Sequence, residues 1–193
     1  MAPDHSKKPR SSKSNWLWKK TYQKTTTRKT RSQIRKQIQK NQRSKTGLDS
    51  LFLKKVVKNI PGFLGVFPLD FLRNITFTRP ACFIINLDVS SQPGSHWIAI
   101  NVRASTIEIF DSLGLDPTSW YRKPLFLLLF LRKFSYSHKI LISPQIQPSY
   151  SNFCGFYALF YVLFQQKFSF KKLCDYFSPD LTVNDNKLLS LFQ

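Results

Sequence analysis

Apolar positions follow clear rhythms in this chain, but only from about residue 47 onward. Over 48–57 (LDSLFLKKVV), positions 48, 51, 52 and 56 fall close to one helical stripe, which predicts a helix. Pro61 and Gly62 form a turn, and 63–72 (FLGVFPLDFL) is apolar but broken by Pro68. A continuous apolar run, 81–87 (ACFIINL), predicts a buried strand closed by the turn-like 90–95 (SSQPGS). Two β-rich runs follow, 96–102 (HWIAINV) and 107–110 (IEIF). They predict a hairpin with Arg103 and Ala104 near its tip. Gly114 and Pro117 mark a loop, Pro124 opens a helix through Lys133, and 139–142 (KILI) reads as another strand. Pro144 and Pro148 hold an extended segment carrying Gln145 and Gln147. The run 153–164 (FCGFYALFYVLF) is apolar on every side, as a buried central helix would be, with Asn152 as its cap. Two short helices, around 169–177 and 185–192, flank Pro179.

Before Gly47 the picture changes. Residues 11–45 are mostly Lys, Arg, Gln, Ser and Thr, interrupted by Trp16, Leu17 and Trp18. Residues 1–46 hold 15 Lys/Arg against Asp4, a net +14, while 47–193 hold 15 against nine acids, a net +6. So little aliphatic surface does not offset the entropy of ordering, which implies a basic disordered tail, 1–46, on one domain, 47–193. A domain of that size buries about 70% of its unfolded surface. The charge of the tail is a counterion-release footprint for nucleic acid, carried by Lys7, Lys8, Arg10, Lys19, Lys20, Arg28, Lys29, Arg31, Arg35 and Lys36. The tryptophans there would stack on bases or insert at an interface.

Composition excludes several classes. The longest uninterrupted apolar run, 156–164, is nine residues, short of a membrane span. No apolar stretch follows the charged N-terminus, so no secretory signal is expected. Cys82, Cys154 and Cys174 are too few and scattered for a disulfide scaffold, and no C-x-x-C pair offers a metal site. A reducing compartment follows, with Asn74-Ile75-Thr76 an unused glycosylation match.

The candidate chemistry centres on Cys154. It falls at the start of the buried helix, where unpaired amides and the helix dipole favour a thiolate. Pairing residue 102 with 105 in the hairpin would set His96 directly opposite Asp111, on one face. A one-residue slip would separate them. His96 would take the thiol proton, and Asp111 would fix the imidazole tautomer. Gln147, in the proline-bounded segment, would add its amide to the Cys154 backbone N–H as an oxyanion hole. Each residue has an ordinary alternative: Cys154 as core, His96 as a half-buried strand residue, Asp111 as a turn former, Gln147 as a surface amide. Cys82 and Cys174 read as structural, and His138 lacks a nearby acid.

His96-Trp97 with its aliphatic strand, IEIFDSLG ending around Asp111, and Gln147-x6-Cys154-Gly155 together resemble the adenovirus protease family. That family includes the cysteine proteases of adenovirus-related viruses and of Polinton/Maverick elements, whose N-terminal part is similar to 63–70 (FLGVFPLD). The resemblance covers about 60–193. It implies Cys154 as nucleophile, His96 as base and acid, Asp111 as orienter where the adenoviral enzymes use Glu, and Gln147 as oxyanion donor. It also implies an α+β, papain-like fold in permuted order: a mixed central sheet packed on a buried helix that starts at the nucleophilic Cys. The expected activity is cleavage of viral precursor proteins after Gly next to small residues, in virion and host nucleus. No metal or organic cofactor is expected, with DNA and an activating peptide as stimulators and a monomer as the working form. A protease for ubiquitin-like modifiers, and an inactive basic DNA-binding virion protein, are the rival readings.

Overall fold

The computed structural model describes residues 11–44, 46–78, 80–117 and 124–193. Five strands, β1 (Phe63–Phe67), β2 (Ala81–Asn86), β3 (Trp97–Val102), β4 (Thr106–Phe110) and β5 (Lys139–Ile142), line up in that order in one mixed sheet. β1–β2 and β4–β5 are parallel, and β2–β3 and β3–β4 antiparallel. Successive side chains alternate between two faces. Cys82, Ile84, Ala99 and Phe110 enter one core, and Phe83, Ile85, Ile98, Ile100, Ile107 and Ile109 the other. A sheet covered on both faces needs apolar residues at every position, which is why 81–87 shows no alternation.

The second core lies beneath α4 (Leu125–Arg132) and a 3-10 turn, Leu69–Arg73. The first is built around α5 (Cys154–Phe164), flanked by α3 (Ser50–Val57), α6 (Phe170–Cys174) and α7 (Asn184–Phe192). All eleven residues of α5 are buried, as its unbroken apolar sequence requires. The chain is therefore α+β, with a mixed sheet packed on a buried helix that begins at Cys154. Asn152 is not the cap of that helix; Phe153 holds the position and offers no side-chain oxygen to the first amides.

The hairpin turns one residue later than the 102/105 pairing, which moves every cross-strand partner by two. Val102 pairs with Ile107 and Ala99 with Phe110, leaving Ala104 and Ser105 as a two-residue tip closed by a bond from Arg103 N to Thr106 O (2.8 Å). The difference in register is even, so every side chain keeps its face. His96 and Asp111 become diagonal neighbours at the open end of the hairpin instead of opposed ones.

The larger correction concerns the basic tail. Residues 1–10, with Lys7, Lys8 and Arg10, lie outside the described residues. Beyond them the chain forms α1 (Ser11–Thr25) and α2 (Arg28–Ser44), which fold back onto the domain. Trp18 packs among Phe160, Phe164, Phe168 and Tyr176 with ring centroids 4.1–5.6 Å away, and Tyr22 lies against Phe192. Ile34 and Ile38 are fully buried. Average composition concealed this stripe: Trp18 and Tyr22, and Ile34 and Ile38, each lie four apart and face inward, while Trp16 and Leu17 stay exposed. Thr27 caps α2 by accepting from Thr30 N, and the Arg31 guanidinium donates to the carbonyls of Gln23 (2.9 Å) and Thr26 (2.5 Å), fixing the angle between the two helices.

Candidate active site

Three elements converge at the open end of the hairpin. His96 immediately precedes β3, Asp111 immediately follows β4, and Cys154 opens α5. Because α5 runs along the sheet beside β3, its N-terminus arrives where β3 begins. The other ends are pinned together: Arg103 donates to Gln165 O (2.7 Å) and to Glu108 (2.9 Å), Asn101 donates to Gln165 and Glu108, and the Tyr161 hydroxyl donates to Glu108. A cleft of about 750 Å³ opens over this end, bordered by His96, Trp97, Gln147 and Cys154.

His96 Nε2 lies 2.7 Å from Asp111 Oδ1, and both side chains are almost wholly buried. The carboxylate is held by more than the imidazole. Asp111 Oδ1 also accepts from Leu113 N (2.9 Å), Oδ2 accepts from Leu115 N (3.3 Å), and Ser143 Oγ bonds both the amide and the carbonyl of the same residue. This turn needs glycine at 114: φ is +64°, and a Cβ there would stand 2.2 Å from the passing Gln145 amide. With Nε2 engaged by Asp111, Nδ1 is the nitrogen left for Cys154. Burial pulls the His96 pKa down, but the bonds and charges of Asp111 and Cys154 outweigh it and raise it to about 9.

Gln147 is buried on the neighbouring segment. Its Nε2 donates to Ser151 O (2.7 Å), so its Oε1 must be the atom that accepts from Ser112 Oγ (2.5 Å). The amide orientation is thereby settled, with one N–H left over. Of the four residues singled out in the sequence, His96, Gln147 and Cys154 border a single cleft, and Asp111 is joined to it through its bond to His96. Ser112 and Ser143 escaped the sequence reading, although Ser112 directly follows Asp111; a serine after a turn carries no signal until the tertiary fold supplies its partner.

The other cysteines are elsewhere. Cys82 lies in the sheet, where burial first and the nearby Glu108 second push its thiol pKa far up. Cys174 is half-buried on α6, and burial pushes it up to about 12. His138 is buried too, and its Nδ1 is bonded to Ser137 Oγ. No helix among the described residues is long and apolar enough to cross a membrane.

Residues 63–179 match the sequence model of the adenovirus endoprotease family. No curated protein matches the chain significantly. Among solved structures, the chain is similar to the selenomethionyl crystal structure of the ASFV protease, with a TM-score of 0.47 and 19% identity, covering 76% of this chain and 66% of that one. It is also similar to the C-terminal Ulp1 protease domain in complex with Smt3, the yeast ortholog of SUMO, with a TM-score of 0.40, 16% identity and 76% of each chain covered.

Proposed function

This chain belongs to the adenovirus endoprotease family and is a cysteine peptidase, and from that premise we propose that it cleaves viral precursor proteins during virion maturation, with Cys154 as nucleophile. The observation that carries the assignment is the His96–Asp111 bond of 2.7 Å at the mouth of the cleft where Cys154 opens α5. In this reading Cys154 gives its proton to His96, whose charge the buried Asp111 carboxylate steadies, and so becomes the nucleophile beside the amides of the helix start.

The Cys154 sulfur attacks the scissile carbonyl carbon, and the oxyanion is received by the Cys154 backbone N–H and the free N–H of Gln147. As the tetrahedral intermediate collapses, the C–N bond breaks and the leaving amine takes the proton from His96. The thioester then reacts with water. His96, now neutral, takes one proton from that water, and the product leaves as the carboxylic acid, which gives its proton to solvent, with the thiolate restored. Glycine before the scissile bond and small residues beside it suit the approach of a peptide to a narrow cleft. The exposed cations of α1 and α2 would hold the enzyme to nucleic acid inside the virion or the host nucleus.

The test is covalent labelling of the full chain with a peptide-based thiol electrophile, with and without duplex DNA, and mapping of the modified cysteine. Cys154 should label selectively, because burial suppresses the thiolates of Cys82 and Cys174. His96→Ala should remove the selectivity, and Cys154→Ala should abolish cleavage of a Gly-containing peptide. Equal reactivity at all three thiols would overturn the assignment.

A further inference from the structure

The family match begins at residue 63, yet a segment well before it reaches the catalytic end of the molecule. Thr46, Leu48 and Asp49, between α2 and α3, are each fixed by a separate contact. The Asn41 side chain, itself buried and oriented by Gln37 (2.6 Å), donates to Thr46 O (2.5 Å). A Cβ on Gly47 would stand 3.6 Å from the Asn152 carbonyl oxygen, at ordinary contact distance. Asp49 caps α3 by accepting from Phe52 N (2.7 Å).

Leu48, between them, is buried and touches two places. Its carbonyl accepts from Trp97 Nε1 (2.8 Å), and its side chain fills the space a Cβ on Gly155 would need, with Leu48 Cβ only 2.9 Å from that position. Trp97 is the residue after His96, and Gly155 the residue after Cys154.

We propose that the segment 46–49, held in place by the docked α1–α2 pair, is a clamp that sets the separation of Cys154 and His96, with Leu48 as its positioning residue. Leu48 takes no part in the chemistry. It fixes the β3 start through the Trp97 indole and the α5 start through van der Waals contact with Gly155, so the two elements carrying the thiol and the imidazole share one wedge. The proposal rests on the peptidase reading above. It adds that the N-terminal helices belong to the working enzyme and do more than carry positive charge.

The test measures alkylation of Cys154 by iodoacetamide from low to high pH, in the full chain, beside peptide cleavage. Leu48→Ala should lower kcat by about tenfold with KM little changed, since a misplaced reacting pair costs rate before binding. It should also shift the pH profile of Cys154 alkylation, because the thiolate loses its partner. Leu48→Met, which keeps the contact, should restore both. Asn41→Ala, which loosens the segment from a distance, should shift them in the same direction by a smaller factor; it keeps the idea testable if Leu48→Ala does not fold. A Leu48→Ala protein with unchanged melting temperature, unchanged kcat and an unchanged alkylation profile would overturn the clamp while leaving the peptidase reading intact. If wild-type Cys154 alkylates no faster than Cys82 or Cys174, the peptidase reading fails and the clamp falls with it.

Discussion

At the scale of single residues, the site depends on how polar groups are paired inside an apolar frame. Asp111 is fully buried, and a buried carboxylate is tolerated only when its lone pairs are filled. Here the imidazole and two turn amides fill them. The raised pKa of His96 gives a pH dependence of definite sign. The imidazolium is present below about 9 and is lost as pH rises through that value, so cleavage that needs a proton for the leaving amine should fall on the alkaline side near about pH 9. Asp111→Asn removes the negative charge beside the imidazole and should move that limb to lower pH while lowering kcat; a pH–rate profile of the two proteins checks it. The same shift contributes stability that is fully present below the ordinary histidine value of 6.5 and disappears as pH rises through about 9.

At the scale of elements, the hairpin shows how a local rule survives a local error. Its tip lies at Ala104 and Ser105, which moves the register by two from the pairing read in the sequence, but an even difference leaves the faces unchanged. His96 and Asp111 meet for that reason. What the local pattern lacked was the distinction between opposed and diagonal neighbours, which the two-residue tip decides. The N-terminal helices show the reverse case. Their apolar stripe is thin, and no isolated helix of that composition would form well in water. Docking onto the rings of α5 and its neighbours supplies what propensity does not. Trp18→Ala should therefore cost about 3–5 kcal/mol, as removal of a large buried aromatic does, and lower the melting temperature of the full chain measured by circular dichroism. An unchanged melting temperature would mean that α1 contributes nothing to the core.

At the scale of the whole molecule, charge and order prove to be separate properties. The stretch with the highest positive charge is also folded through residues 11–44, so its outer face is a fixed array of cations. Lys19, Lys20, Arg28, Lys29, Arg35 and Lys36 are exposed, whereas Arg31 is spent on the carbonyls of Gln23 and Thr26 at the end of α1. Replacing those six by Gln should weaken duplex DNA binding without unfolding the domain. It should also flatten the plot of log affinity against log salt, by about 0.9 for each phosphate no longer neutralised. Deleting the whole stretch is the poorer experiment, since it also strips Trp18, Tyr22, Ile34 and Ile38 from the core. An unchanged salt slope in the six-fold variant would remove this surface from the reading. Local periodicity made β2 to β5 and the buried helix α5 legible in the sequence, and residue types that chemistry rarely places together singled out His96, Asp111, Gln147 and Cys154, whereas β1, in a run broken by Pro68, went unread. The docking of the basic helices, the Ser112 and Ser143 partners, and the reach of Leu48 to the flanks of His96 and Cys154 were decided by the tertiary structure alone. Such contacts join residues distant in the chain, and a side chain carries no mark of its partner until packing brings the two together.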